Sequence, residues 1–401
     1  MKPPHHLTYC LNVHPGETWA ENLAAIQTHT LAIRDRVAGD RPFGLGLRLS
    51  HQAANQLSQP EVLAAFKSFM REQNLYAFTI NGFPYGAFHT SPVKTTVYKP
   101  DWSTPERLDY TLTLARILAK LLPDETDGSI STLPLGYKFT PESGGEAAPS
   151  REMMSKLAEC AAALHDIHMK TGREIHLGLE PEPDCLLETT ADIIQFFEQE
   201  LIPHAIPQLV ARLSCPRAEA ETILRRHIGV CFDTCHLAVQ FEELAGSLAL
   251  LIRQGIRISK VQLSSALEVT PTPAARAQLA DFLDPVYLHQ VKARPPFRYA
   301  DLHEALASPV TPTVADSLWR IHFHLPLYFE GNGPLRATAA SLDARFWSQI
   351  QTLPVGHLEI ETYTFHVLPP DLQAGGVVDS TVREYAWVAG KLLADHSVRL
   401  S

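Results

Sequence analysis

Short runs of apolar, β-favouring residues alternate with longer amphipathic segments along most of the chain. That rhythm restricts the fold more than any other feature. The candidate strands are Leu7–Val13, Gly44–Leu49, Leu75–Asn81, Ile130–Leu135, Ile175–Glu180, Ile228–Asp233, Ile258–Leu263, Ile321–Phe329 and His357–Tyr363. Most are apolar throughout, as strands covered on both faces must be. Between them, Glu61–Gln73, Pro105–Leu122, Arg151–Thr171, Thr189–Leu201, Ala218–Arg226 and Phe241–Arg253 space their apolar residues as helices do. Strand, helix and strand in succession imply parallel pairing through right-handed crossovers. Eight such units close a (β/α)₈ barrel, so an α/β TIM barrel is predicted as one domain over residues 1–401. Nine candidate strands are one more than the wall needs. The long, Pro-rich stretch Ala266–Arg320 reads as an insertion between the seventh and eighth barrel strands. The Ile321–Phe329 run belongs either to that insertion or to the wall.

With 401 residues and 45% hydrophobic content, the chain can bury a large core. Its net charge of −10 argues against unspecific nucleic-acid binding and against anionic membranes. No run approaches the roughly 18 apolar residues of a spanning helix. The N-terminal MKPPHHLTYCLNVHPGE lacks the apolar core and cleavage pattern of a signal peptide. Cysteines 10, 160, 185, 215, 231 and 235 are scattered, which predicts no disulfide framework and a cytoplasmic location. Cys231 and Cys235 resemble half of a zinc site, but no second pair lies nearby in sequence.

A parallel barrel gathers its chemistry where the strands end. The fifth strand ends on Glu180, with Glu182 two residues on. The sixth ends on Asp233, and His236 follows one short turn later. The seventh carries Gln262 and then Ser264, and the last carries Glu359 and Glu361. Alternation puts Glu180 with Glu182, and Glu359 with Glu361, on shared faces, one of each pair lying deeper. A lone strand-end carboxylate is ordinarily solvated or salt-bridged. Several converging in one barrel mouth call for a divalent metal, or one must keep its proton. Mixed oxygen and nitrogen ligands suit Mn²⁺, Mg²⁺, Co²⁺ or Zn²⁺. His322 and His324 alternate in RIHFHLPLY and face either this pocket or the core, while His165 and His168 read as helix-surface residues. Arg48, ending the second strand, either receives an acidic or phosphorylated group or bridges the barrel mouth. The Phe83, Tyr85 and Phe88 rings of NGFPYGAFH either cover the pocket or pack on the next helix.

The set Glu180, Asp233 with His236, and Glu361 resembles the xylose isomerase-like barrels, the sugar and sugar-phosphate isomerases and epimerases that share a fold with endonuclease IV. That resemblance implies one divalent metal held from strands five to eight by Glu180, Asp233, Gln262 and Glu361. The superfamily has His where this chain has Gln262, and His324 is a candidate replacement. Longer phrases resemble one branch, the EboE metabolite-traffic proteins: LTYCLNVHPGETW, NGFPYGAFH with VKTTVYKPDW, LEPEPDCLLE, CFDTCHLAVQFE, WRIHFHLPLYFE and LEIETYT. The branch implies a cytoplasmic, enzyme-like protein acting beside others of one metabolite pathway. The implied chemistry is isomerisation or epimerisation of a small polyol or sugar-like metabolite. Glu180 and Glu361 would flank the substrate, one of them moving the proton, and His236 would hold a substrate oxygen. Asn12, His14, Arg48, Asn81 and His324 are the expected substrate-binding residues. Metal-dependent phosphoester hydrolysis and a non-catalytic carrier barrel are the competing readings, and fold alone does not decide among them.

Overall fold

The computed structural model describes residues 5–89, 94–139, 146–294, 296–309, 311, 314 and 316–393. Val93 of VKTTVYKPDW and part of the Pro-rich SPVTPTV lie outside the described residues. The chain runs through β1 (His6–Tyr9), β2 (Phe43–Arg48), β3 (Leu75–Asn81), β4 (Gly128–Thr132), β5 (Ile175–Leu179), β6 (Ile228–Asp233) and β7 (Ile258–Leu263). It then forms β8 (Ser265–Val269), β9 (Val291–Arg294), β10 (Phe297–Tyr299), β11 (Leu318–Leu325), β12 (Gly331–Asn332) and β13 (Leu335–Ala337) before β14 (His357–Ile360). An eight-stranded parallel sheet takes the order β1-β14-β7-β6-β5-β4-β3-β2. A parallel bridge between Cys10 and Gly46 joins its two ends, and the Thr8 hydroxyl donates to the Gly44 carbonyl at 2.8 Å. These contacts bring the sheet round into a (β/α)₈ barrel. Gly46 permits the closure, because a Cβ there would lie 2.6 Å from the Tyr9 carbonyl oxygen.

Parity along the strands divides the core. Leu45, Leu47, Leu177, Leu179, Val230, Phe232, Val261, Leu263, Leu358 and Ile360 are all buried in one apolar core cluster with residues of the surrounding helices. Residues of opposite parity fill the barrel with polar groups, among them Thr8, Ser131, His176, Lys260, Gln262 and Glu359, all buried. A strand that reads as apolar in sequence therefore hides an inner polar row. The wall helices follow ordinary rules. Ser150 caps Arg151–Thr171, and the helix ends on Gly172 in the left-handed conformation, φ +72°. The Thr189–Leu201 segment is longer than its sequence suggests. Helix Thr190–Gln195 continues through a π turn into Ile202–Leu213.

The six strands between β7 and β14 form a separate antiparallel sheet in the order β10-β9-β11-β8-β13-β12. It does not stop at residue 320. β11, which contains the Ile321 run, is an interior strand of this second sheet, and β13 carries the sheet on to Ala337. Only Ser264 separates β7 from β8, so the chain passes directly from the barrel mouth into the second sheet. No described helix is long and apolar enough to cross a membrane.

Candidate metal centre

Three strand ends deliver carboxylates to one point. Glu180 follows β5, Asp233 ends β6 and Glu361 follows β14. Ligand oxygens from all three lie within 4.8 Å of one another, and all three side chains are buried. Asp233 and Glu361 are each held on one side only. Asp233 caps the short helix Thr234–Val239, its Oδ1 accepting from the backbone N–H groups of Cys235 (2.7 Å) and His236 (3.0 Å). Glu361 Oε1 accepts from the amides of Asn12 at 2.7 Å and Asn81 at 3.0 Å. Asp233 Oδ2, Glu361 Oε2 and Glu180 Oε2 are buried without a protein partner. Orphaned anionic oxygens in a buried cluster are costly unless a cation or a proton meets them. Burial, then the charge of Asp233, raises the Glu180 carboxyl well above its ordinary range. Burial, then the charge of Glu180, does the same to Glu361. The donor set is all oxygen, anionic and incomplete, and it fits a divalent cation.

The neighbouring charge is arranged in layers. Glu359, two residues below Glu361, pairs with Lys260 at 2.5 Å, and both side chains are 0% exposed. Sequence reading passed over Lys260, although it shares parity with Gln262 on β7 and alternation points it inward. The Gln262 amide is taken up by neighbours outside the carboxylate trio. Its Oε1 accepts from the Cys231 thiol at 2.8 Å, and its Nε2 reaches toward Glu359 at 3.5 Å. The side chain is long enough to turn down into the layer below. Among the described residues, no metal-spaced group contains both Cys231 and Cys235.

A second polar cluster lies beside the trio. His322 and His324 of β11 come to the barrel mouth, where His324 Nε2 is 3.1 Å from His236 Nε2 and 3.2 Å from His322 Nε2. Burial holds the His236 imidazole down at about 3 and His324 at about 4. His236 lines the cavity, with its Nδ1 turned to the Pro181 carbonyl at 2.9 Å and its Nε2 toward His324. Glu182 adds a further buried carboxylate. Its Oε1 accepts from the Tyr98 hydroxyl at 2.7 Å, its Oε2 has no partner, and burial raises it to about 8.

A cavity of about 40 Å³ opens on these groups, lined by Asn12, Glu180, Glu182, His236 and Glu361 below and by Phe83, Phe88, Lys94, Tyr98, Tyr287 and Tyr363 above. That is room for a few waters, so a polyol needs this aromatic roof to move. The NGFPYG loop serves both expected roles. Phe83 and Phe88 line the cavity, whereas Tyr85 packs edge-on against Tyr110 of the next helix, Pro105–Leu121, with ring centroids 5.0 Å apart. Of the expected substrate contacts, Asn12 lines this cavity, while Asn81 and His324 are bonded to Glu361 beside it and two others lie elsewhere. β1 ends at Tyr9 and the chain turns through Leu11–Val13, leaving His14 stacked on His29 and bonded to the Tyr9 hydroxyl. Arg48 is 1% exposed and holds the loops, donating to the carbonyls of Gly16 and Gly86 and lying 3.4 Å from Glu17. Neither lines the cavity. His165 and His168 are half-buried on their helix, with ring contacts to His227.

No family model matches the sequence, and no curated protein matches it. Solved structures do. A zinc-bound IolI protein is 10% identical with a TM-score of 0.49, covering 100% of both chains. A xylose isomerase domain protein from Alicyclobacillus acidocaldarius is 12% identical with a TM-score of 0.46, covering 96% of this chain and 98% of that one. The probable 3-DHS dehydratase AsbF, involved in petrobactin synthesis in Bacillus anthracis, is 10% identical with a TM-score of 0.45 over 96% and 98%. The chemistry proposed below rests on this chain's own residues.

Proposed function

We propose that this chain is a divalent-metal-dependent isomerase or epimerase acting on a small polyol or sugar-like metabolite. The observation that carries the reading is the buried trio Glu180, Asp233 and Glu361, each with one oxygen lacking a partner. These residues would hold the cation. A bound divalent ion supplies positive charge that polarises a substrate carbonyl and acidifies the adjoining C–H. The protein does the rest. Asn12 and Asn81 fix Glu361 through its Oε1, so Glu361 acts as an anchor. No amide among the described residues donates to Glu180 as Asn12 and Asn81 do to Glu361, so Glu180 is the carboxylate free to take a proton from one carbon and return it to another. Phe83, Phe88 and Tyr287 cover the sugar face and exclude water. The proposal places the protein in the cytoplasm, beside other proteins of one metabolite pathway, as the EboE-like phrases imply.

The test is a panel of aldoses, ketoses and their phosphates incubated in D₂O with Mn²⁺. NMR follows deuterium entry at carbon. Wild type should exchange deuterium and Glu180→Gln should not. Binding without exchange would replace the isomerase with a carrier barrel, and release of inorganic phosphate would favour phosphoester chemistry.

A further inference from the structure

We propose that this chain binds an amphipathic organic anion, an acyl chain of medium length ending in a carboxylate or phosphate, in a cavity at the barrel end opposite the carboxylate trio. The site does not depend on the isomerase reading.

The cavity lies where the barrel begins. It is bounded by the starts of β1, β2 and β3 through Leu7, Phe43 and Tyr76, by the end of helix Leu31–Val37, and by helix Gly376–Leu393. The trio stands at strand ends, so this cavity is on the other face of the barrel. Its volume is about 280 Å³, against about 40 Å³ at the mouth.

Small residues leave it open. Val382, Tyr385, Ala386 and Ala389 recur at helical spacing and present one face of their helix to the cavity. Two of the four carry only a methyl group. Leu7, Val37 and Val382 are only half-buried around the space, and Ala386 is exposed. Apolar surface of this kind is stabilised when a ligand removes it from water. A cavity of about 150 Å³ takes benzene, so this one has room for an apolar group of roughly ten carbons.

The rim is cationic, although the chain's net charge is −10. Arg36 and Arg41 both line the cavity and are exposed. Arg36 is paired with Asp379. Arg41 donates instead to backbone at the end of helix Leu31–Val37, its Nε to the Ala38 carbonyl and its Nη2 to the Val37 carbonyl, both at 3.2 Å. These bonds fix the guanidinium, and among the described residues no partner is found for its Nη1. Tyr385 adds a donor to the wall. It is 7% exposed, and its hydroxyl is buried without a partner, where a buried tyrosine ordinarily has one. An inorganic anion would leave the apolar space empty, and a neutral chain would leave Arg41 without a counter-charge. An acyl anion meets both demands, with its chain inside and its head at the rim.

Calorimetry on the full chain in chelator tests this, because no metal at the mouth then competes for the head group. Decanoate should bind one to one. Octanoate should bind about 16-fold more weakly, a factor of about four for each methylene lost. 1-Decanol should bind about two- to fivefold more weakly than decanoate, as the loss of an exposed ion pair implies. Arg41→Gln should weaken decanoate by that same factor and leave 1-decanol unchanged, and Arg41→Lys should restore decanoate. Decyl phosphate binding more tightly than decanoate assigns the head as phosphate, and the reverse order assigns it as carboxylate. Ala386→Leu with Ala389→Leu fills the cavity at little cost in helix propensity and should abolish binding. Melting checks the folding of each variant, and Ala389→Leu alone serves if the pair fails to fold. Wild type without saturable binding at millimolar decanoate overturns the proposal. So does equal binding by the filled variant, or 1-decanol binding as tightly as decanoate. A dimer that the filled variant dissociates would make a second copy of the chain the occupant, and overturns it too. Each of these results leaves the deuterium-exchange test of the trio standing.

Discussion

Replacing Lys260 with Met tests whether the polar interior beneath the site is an electrostatic foundation. Lys260 and Glu359 are 2.5 Å apart and 0% exposed. At an effective dielectric of about 20, that separation gives an attraction of about 7 kcal/mol, against a desolvation penalty of several kcal/mol for each ion. The pair contributes little net stability, but losing one partner leaves a buried charge. That loss costs about 3–5 kcal/mol. The remaining glutamate has one escape, which is to hold a proton. For a glutamate of ordinary acidity that costs about 5 kcal/mol at pH 8 and about 1 kcal/mol at pH 5. Lys260→Met should therefore lose about 3–5 kcal/mol at pH 8 and about 1 kcal/mol at pH 5. The double variant Lys260→Met, Glu359→Gln should recover most of the pH 8 loss, since neither charge remains. Urea unfolding of the three proteins at both pH values, fitted with a shared slope, measures this. A single variant losing less than about 1 kcal/mol at pH 8, or losing the same amount at both pH values, would refute the reasoning.

Other consequences follow from the same geometry. The only side-chain donation found for Asn12 goes to Glu361 among the described residues, so Asn12→Ala should weaken Mn²⁺ binding about 10–100-fold by calorimetry. Metal-free protein should lose stability on both sides of about pH 6.5, measured as urea midpoints in chelator. Burial raises Glu182 and Glu384 to about 8, so the folded state binds more protons than the unfolded one above pH 4.5, and stability falls as pH rises toward 8. On the acid side, burial lowers His236 to about 3 and His324 to about 4, so stability falls as pH drops below 6.5. Glu384→Gln should flatten the alkaline arm, and an unchanged arm would remove Glu384 from the account. Gly46→Ala should destabilise by about 1–3 kcal/mol or prevent folding, because its Cβ would sit 2.5 Å from Glu359 Oε1 and 2.6 Å from the Tyr9 oxygen. Gly86→Ala, with nothing within 4 Å, is the neutral control in the same melting assay.

The residues show where a sequence argument of this kind holds and where it stops. Alternation along a strand is a two-residue rule, and it is local. It placed Glu180, Asp233 and Glu361 on inward faces at strand ends, and the structure brings them together. The same rule covers Lys260, two residues before Gln262, so the missed ion pair was legible and was hidden only by reading β7 as apolar. Parity says which face a residue takes, but not how far its side chain travels. Gln262 has the right face and still turns down to Cys231. Strand length was the weaker inference. β1 stops at Tyr9, and the turn after it carries His14 away while leaving Asn12 on Glu361. The histidines lay beyond any local rule. His322 and His324 sit 86 and 88 residues after His236, on a strand whose place is set by antiparallel pairing with β8 and β9. Nothing near residue 322 in sequence encodes that pairing. It does arise from a simple connection, because β8 leaves β7 through Ser264 alone and β11 must return along β8. A strand laid back along one that rises from the barrel mouth carries its inward side chains over that mouth. The second sheet thus supplies the barrel with imidazoles that its own eight strands lack there.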